Sequence, residues 1–185
     1  MADRYAVIGN PISHSKSPEI HAAFARECGQ DMQYERLLAP MSGFVETVDA
    51  FRRSAAKGAN VTLPFKIEAF NYATERSQRA RRGGTVNTLR FEVEKVIGDN
   101  TDGVGLCRDI EGNLGRTLRG ARILLVGAGG AARGVVGALL DCEPQSLVIT
   151  NRTHAKAQAI VDQYAVGTSF SAHEFATLAS QRFDV

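Results

Sequence analysis

Four short polar clusters carry most of the side chains able to do chemistry: Ser13-His14-Ser15-Lys16-Ser17-Pro18, Asn60-Val61-Thr62-Leu63-Pro64-Phe65-Lys66, Val86-Asn87-Thr88 and Asp99-Asn100-Thr101-Asp102-Gly103. They supply many hydroxyls and amides, two lysines and two carboxylates near turns, and no cluster with metal-ligand spacing, so no metal is expected. Ser15 and Ser17 stand just ahead of a helix start, where hydroxyl donors and unpaired N–H groups suit a carboxylate. Asn60, Thr62, Asn87 and Asp102 suit sugar-like hydroxyls. Lys66 and Asp102 together can move the proton that accompanies hydride transfer. Each residue also has a plain structural use. Ser17 makes a good N-cap, Asn60 and Thr62 can close a strand end, Asp102 can cap the following helix, and a lysine such as Lys66 usually decorates a surface.

A second constellation is glycine-rich. The apolar run Ala121-Arg122-Ile123-Leu124-Leu125-Val126 leads into Gly127-Ala128-Gly129-Gly130-Ala131-Ala132. Gly127, Gly129 and Ala132 fit G-x-G-x-x-G/A between a strand and a helix, where glycines let the backbone turn tightly and approach a pyrophosphate. The next strand ends in Asn151-Arg152-Thr153, with Lys156 one turn on. An NAD site usually carries Asp or Glu there for the ribose 2′-hydroxyl, whereas Arg152 and Lys156 suit a 2′-phosphate. The expected cofactor is NADP. The residues alone point to an NADP-dependent alcohol oxidoreductase acting on a small polyhydroxy acid.

The elements needed to position these groups follow from the pattern. Short β-branched runs alternate with helical periodicity, which predicts an α/β fold. Strands are expected at Tyr5–Ile8, Gln33–Leu38, Ala59–Thr62 and Leu147–Thr150, with a hairpin formed by 85–91 and 95–98. Helices are expected from Ser17, over 42–57 with Gly58 as the stop, over 64–72 and 75–81, up to Cys142, and over His154–Tyr164. Phe183-Asp184-Val185 reads as the start of another strand. The Arg79, Arg81 and Arg82 run complements a helix end. A boundary near residues 102–118 separates an N-terminal α/β substrate-binding domain with a mostly parallel sheet, 1–102, from a Rossmann-type NADP-binding domain, 103–185.

Composition agrees and excludes other classes. The 185 residues hold 22 basic and 20 acidic side chains and are 44% hydrophobic, enough for one domain or two small ones. A net charge of +2 gives no reason to expect nucleic acid or a membrane surface as partner. No apolar run approaches the roughly 20 residues of a bilayer span, and no secretory h-region is seen at the N-terminus. Cys28, Cys107 and Cys142 are widely spaced and fit no pairing motif, which suits a reducing cytoplasm. A small-molecule substrate and a monomer or homodimer are expected.

Gly9-Asn10-Pro11-Ile12-Ser13-His14-Ser15-Lys16-Ser17-Pro18, Asn60 to Lys66, Val86-Asn87-Thr88-Leu89 and Gly98-Asp99-Asn100-Thr101-Asp102-Gly103 resemble, in order, the signatures of the shikimate dehydrogenase family. Gly127–Ala132 and Asn151-Arg152-Thr153 resemble that family's NADP loop and 2′-phosphate motif, so the resemblance covers the whole chain. It implies reversible, NADPH-dependent reduction of 3-dehydroshikimate to shikimate on the route to chorismate and the aromatic amino acids. It places the substrate carboxylate on Ser15 and Ser17, ring hydroxyls on Asn60, Thr62, Asn87 and Asp102, and acid/base chemistry on Lys66 paired with Asp102. It places the cofactor on Gly127, Ala128, Gly129, Gly130, Ala131, Asn151, Arg152, Thr153 and Lys156.

Three features depart from the family pattern. Thr85, in Gly83-Gly84-Thr85, stands where the family usually has alanine. Gln78 stands where many members carry an acidic residue with a cofactor contact, so Gln78 is a weak member of the cofactor set. The family also continues beyond a strand resembling Phe183-Asp184-Val185, which implies a chain incomplete at its C-terminus, with part of the nicotinamide pocket and an unpaired sheet edge. The alternatives are a quinate/shikimate dehydrogenase, against which Ser17, Arg152 and Lys156 argue, and a truncated, non-catalytic module binding NADP or a shikimate-like ligand.

Overall fold

The computed structural model describes residues 2–164 and 169–185. It divides into two compact units, Met1–Asn100 and Thr101–Val185.

The first unit is a six-stranded sheet with four helices: β1 (Asp3–Gly9), α1 (Ser17–Cys28), β2 (Met32–Leu38), α2 (Phe44–Arg53), β3 (Gly58–Val61), α3 (Lys66–Tyr72), β4 (Glu75–Arg76), α4 (Gln78–Gly83), β5 (Thr88–Phe91) and β6 (Val96–Asp99). The strand order is β2-β1-β3-β5-β6-β4. β1 pairs in parallel with β2 and β3, and β4 with β6, while β5 runs antiparallel to both β3 and β6. The core lies against one face of this sheet, where Ala6, Ile8, Val61 and Leu89 meet Phe44, Val48 and Phe51 of α2 and Ala69 of α3. Phe44, Val48 and Phe51 recur at helical spacing, so α2 buries a single stripe. Phe44 also stacks on Phe65, with ring centroids 5.2 Å apart.

Three local expectations are corrected. The helix expected over 42–57 is shorter, and Gly58 does not end it; Gly58 opens β3 instead. A Cβ there would stand 2.5 Å from the Leu89 carbonyl oxygen, so the close approach of β3 and β5 requires glycine. Glu75-Arg76 is not helical but an edge strand parallel to β6, and the helix starts after Ser77, whose hydroxyl accepts from the Ala80 N–H. Ser17 is not an N-cap: it is the first residue of α1, Lys16 takes the cap position, and no side chain caps that end.

The second unit contains α5 (Asp102–Arg108), one π-helical turn (Asp109–Asn113), β7 (Arg122–Val126), α6 (Gly130–Asp141), β8 (Ser146–Thr150), α7 (His154–Tyr164) and β9 (Phe170–Ala172). Its three strands are all parallel, in the order β7-β8-β9. Ile123, Leu147 and Ile149 pack with Val136 and Leu139 of α6 and Ala157 and Ile160 of α7. Residues 183–185 follow the outer edge of β7: Asp184 N–H donates to the Arg122 carbonyl oxygen and Leu124 N–H to that of Val185. Among the described residues no helix is long and apolar enough to cross a membrane.

Candidate active site

In the first unit the polar clusters converge on one end of the sheet. Register places Asn60, Thr88 and Asp99 side by side across β3, β5 and β6. Asn87 directly precedes Thr88, and its N–H donates to the Asp99 carbonyl oxygen at 3.0 Å. Because β5 is antiparallel, Asn87 reaches this end from the start of its strand, whereas an all-parallel reading would place it at a strand's C-terminal end. Lys66 is the first residue of α3, and its carbonyl accepts from Val86 N–H at 2.9 Å. Thr62 is held beside β1 by its N–H to the Ile8 carbonyl oxygen at 2.9 Å. Asn60, Thr62, Lys66 and Asn87 are thus fixed through backbone that neighbouring strands already order.

The serine turn joins them from the other side. Ser15 Oγ donates to Ser17 Oγ at 3.1 Å and accepts the Ser17 N–H at 3.3 Å. Arg36 in β2 grips the Ser15 carbonyl oxygen with Nε and Nη2, at 2.8 and 2.6 Å, and pairs with Glu19. The two hydroxyls therefore face the start of a 12-residue helix with no side-chain cap, an arrangement that suits an anion.

Tyr34, which sequence reasoning does not single out, connects the two halves of the site. Its hydroxyl donates to Asn60 Oδ1 at 2.6 Å and is in side-chain hydrogen-bond contact with Ser17. Its ring stacks on His21, with centroids 4.2 Å apart. Burial pushes the Tyr34 phenol above its usual value, so it stays a neutral donor. Asn60 is thereby oriented: Oδ1 accepts from Tyr34 and Nδ2 donates to Thr88 Oγ1 at 3.2 Å. A lone tyrosine in a strand carries no motif; only its pairing reveals it. A groove of about 740 Å³ on the sheet face, lined by Tyr5, His21, Tyr34, Asn60, Thr88 and Arg90 among others, opens beside this point. Asn60 and Thr88 are shared between the polar cluster and the groove, whereas Ser15, Lys66 and Asn87 do not line it.

Asp99 anchors the remaining loop. Its carboxylate accepts from the Ser77 hydroxyl, from Arg79 and from the Asn100 N–H. The Arg79 guanidinium and the other donors hold its pKa down at about 2 against partial burial. Arg79 thus serves an ion pair rather than only a helix end. Gln78 is the exposed first residue of α4, in the first unit, whereas the glycine loop lies in the second.

In the second unit Asp102 is the first residue of α5, one place inside the helix, with Thr101 at the cap position. Gly127 sits at φ +114°, a conformation that favours glycine, and its N–H donates to the Thr150 carbonyl oxygen at 2.8 Å. This bond ties the loop to the end of β8, immediately before Asn151. Gly129 precedes α6 without a side-chain cap, and a Cβ on Gly127 or Gly129 would enter open space. Ala132 is buried. Asn151 Nδ2 donates to the Thr153 carbonyl oxygen at 2.9 Å and closes the turn, while Arg152, Thr153 and Lys156 are exposed. Open space over an uncapped helix start, with exposed Arg152 just past the end of the adjacent strand and exposed Lys156 in the first turn of α7, fits a dinucleotide carrying a 2′-phosphate.

A parallel βαβ unit with this loop, in one chain with a unit whose sheet end gathers serines, amides and a lysine, defines a nicotinamide-dinucleotide-dependent α/β oxidoreductase. Family models narrow the class. Residues 7–89 match the shikimate dehydrogenase substrate binding domain, and residues 110–184 match shikimate / quinate 5-dehydrogenase. The chain is 54% identical over 185 residues to shikimate dehydrogenase (NADP(+)) of Nitrosospira multiformis, covering all of this chain and 67% of that protein. An Ael1 enzyme from Pseudomonas putida superposes with a TM-score of 0.90 at 44% identity, over 99% of this chain and 67% of that one. The shikimate 5-dehydrogenase of Thermus thermophilus, solved in complex with NADP(H) and shikimate, gives 0.83 at 32% identity, over 92% of this chain and 62% of that one. The chain belongs to the shikimate dehydrogenase family, and it spans about two thirds of the length of these relatives.

Proposed function

We propose that the chain acts in the reversible, NADPH-dependent reduction of 3-dehydroshikimate to shikimate, with substrate bound mainly by residues 1–102 and cofactor by 103–185. The observation that carries this reading is the convergence of Asn60, Thr62, Lys66 and Asn87 on one sheet end, linked through Tyr34 to the Ser15–Ser17 turn. The serine hydroxyls take the substrate carboxylate. The amides of Asn60 and Asn87 and the Thr62 hydroxyl hold ring hydroxyls, with Asp102 as a further partner. NADPH, when bound, supplies the hydride. Lys66 as an ammonium donates a proton to the carbonyl oxygen during reduction, and as a neutral amine takes one from the hydroxyl during oxidation. Asp102 is the carboxylate that pairs with Lys66 in this scheme. Gly127, Ala128, Gly129, Gly130 and Ala131 line the pyrophosphate, and Asn151, Arg152, Thr153 and Lys156 receive the 2′-phosphate. Gln78 is a peripheral member of the cofactor set.

Calorimetry with shikimate, quinate, NADP and NAD, together with absorbance assays of turnover, tests the reading on the intact chain. Tighter binding of NADP than NAD, with shikimate preferred to quinate, is expected. Preference for quinate with NAD would overturn it in favour of a quinate/shikimate enzyme. Binding without turnover would support the non-catalytic module instead.

A further inference from the structure

Cys107 and Cys142 stand far apart in sequence but meet in the second unit. α5 crosses α6 so closely that a Cβ on Gly103 would lie 2.7 Å from the Ala138 Cβ and 3.0 Å from the Gly134 carbonyl oxygen. Cys107 lies one helical turn beyond Gly103, and Cys142, closing α6, lies one turn beyond Ala138, so each follows the contact point on the same helix face. Both cysteines pack on one apolar cluster, and Cys142 is near enough to Cys107 to act on its thiol. Cys107 is buried in the apolar cluster with Ile110 and Leu139, and Cys142 packs half-buried against the same cluster.

We propose that Cys107 and Cys142 form a dithiol–disulfide site, oxidised by low-molecular-weight disulfides of the glutathione class. Cys142, the more exposed sulfur, attacks first as its thiolate: one sulfur–sulfur bond of the oxidant breaks, a mixed disulfide forms on Cys142, and one small thiol leaves. The Cys107 sulfur then attacks the Cys142 sulfur, the protein disulfide forms and the second small thiol leaves. The cysteine pair loses two electrons and two protons, and the oxidant becomes two thiols. Burial, reinforced by Cys142 and by the Glu111 and Asp141 charges, pushes the Cys107 thiol up to about 12, which makes it the poorer first nucleophile and leaves the opening attack to Cys142. The bond would staple the end of α5, which begins at Asp102, to the end of α6, which begins at the glycine loop.

The test exposes the purified, folded chain to excess oxidised glutathione, alkylates remaining thiols, digests with protease and maps peptides by mass spectrometry. Linked peptides containing Cys107 and Cys142, lighter by two hydrogen atoms and released by dithiothreitol, are expected. Cys28→Ser should leave the link intact. Cys142→Ser, at the half-buried and therefore more tolerant position, should abolish it and leave Cys107 open to alkylation once the chain is unfolded. Alkylation of both cysteines without a link, or a lasting glutathione adduct on Cys142 with Cys107 still a thiol, would overturn the proposal. Neither readout depends on turnover, so it stands apart from the proposed activity.

Discussion

The side-chain amide of Asn100 donates to both the hydroxyl and the carbonyl oxygen of Thr85, at 2.8 and 3.2 Å, between residues 2% and 0% exposed. Thr85 therefore adds an acceptor beneath the Val86-Asn87 segment, and it ties the end of β6 to the residues that carry the Asn87 amide. The hydroxyl explains how a threonine fits at a position where the family usually has alanine: its bulk is accommodated by a bond.

Thr85→Val keeps the shape and removes one acceptor of the buried Asn100 amide. A stability loss of about 1–3 kcal/mol is expected, with Thr85→Ser recovering most of it. Urea denaturation of the three proteins checks this, and equal midpoints for valine and threonine would refute it.

Lys66→Ala removes the proposed acid/base group, which takes the hydroxyl proton when shikimate is oxidised. Turnover of shikimate should fall roughly 100-fold or more, within the range of acid/base residues, with shikimate affinity changing far less. Steady-state kinetics alongside calorimetry separates the two effects.

Arg152→Ala removes a fork suited to the 2′-phosphate. NADP affinity should fall roughly 10–100-fold while NAD affinity holds, since a charge-assisted contact contributes about 1.5–3 kcal/mol. Titration calorimetry with both dinucleotides measures the difference.

The Asp99 carboxylate is held down at about 2 by Arg79, Ser77 and the Asn100 N–H, below the usual carboxylate range near 4. A depressed folded-state pKa contributes stability that is present above the unfolded value and lost as pH falls. Between about pH 4 and pH 2 the chain should therefore lose stability, and Asp99→Asn should flatten that part of the profile. Denaturation midpoints across this window provide the check.

Gly58→Ala drives a methyl group against the Leu89 carbonyl oxygen, where a Cβ would stand at 2.5 Å. Overpacking typically costs about 1–3 kcal/mol, so a drop of that size in unfolding free energy is expected, without loss of dinucleotide binding by the second unit.

What the sequence makes legible follows from how local each signal is. α7 spans His154–Tyr164 as its periodicity predicts, and the glycine loop sits between β7 and α6 because strand, turn and helix are all written in neighbouring residues. Gly58 reads as a helix stop because its true constraint comes from Leu89, on another strand. Glu75-Arg76 is too short to show a period, so only its pairing with Ile97 and Gly98 marks it as a strand. Strand β9 is likewise three residues long and carries no periodic signal of its own. The types and spacing of Ser15, Ser17, Asn60, Thr62, Lys66 and Asn87 point to the polar site. The residue that orients Asn60 stays hidden, because Tyr34 is joined to it only through space.

The segment 183–185 beside β7 poses a problem that no hairpin solves. A strand's partner that arrives sixty or so residues later has no tight turn to fix its alignment, and a slip of one residue would swap its inward and outward faces. Here the Asp184 carboxylate takes the Arg122 backbone N–H at 2.9 Å and clasps the same residue's guanidinium at 2.8 and 3.0 Å. Arg122 holds that carboxylate's pKa down at about 2, so the clasp keeps its charge through any ordinary acidity. One ion pair thus works as an alignment mark, written at the first residue of β7 and read by an aspartate about sixty residues further along the chain.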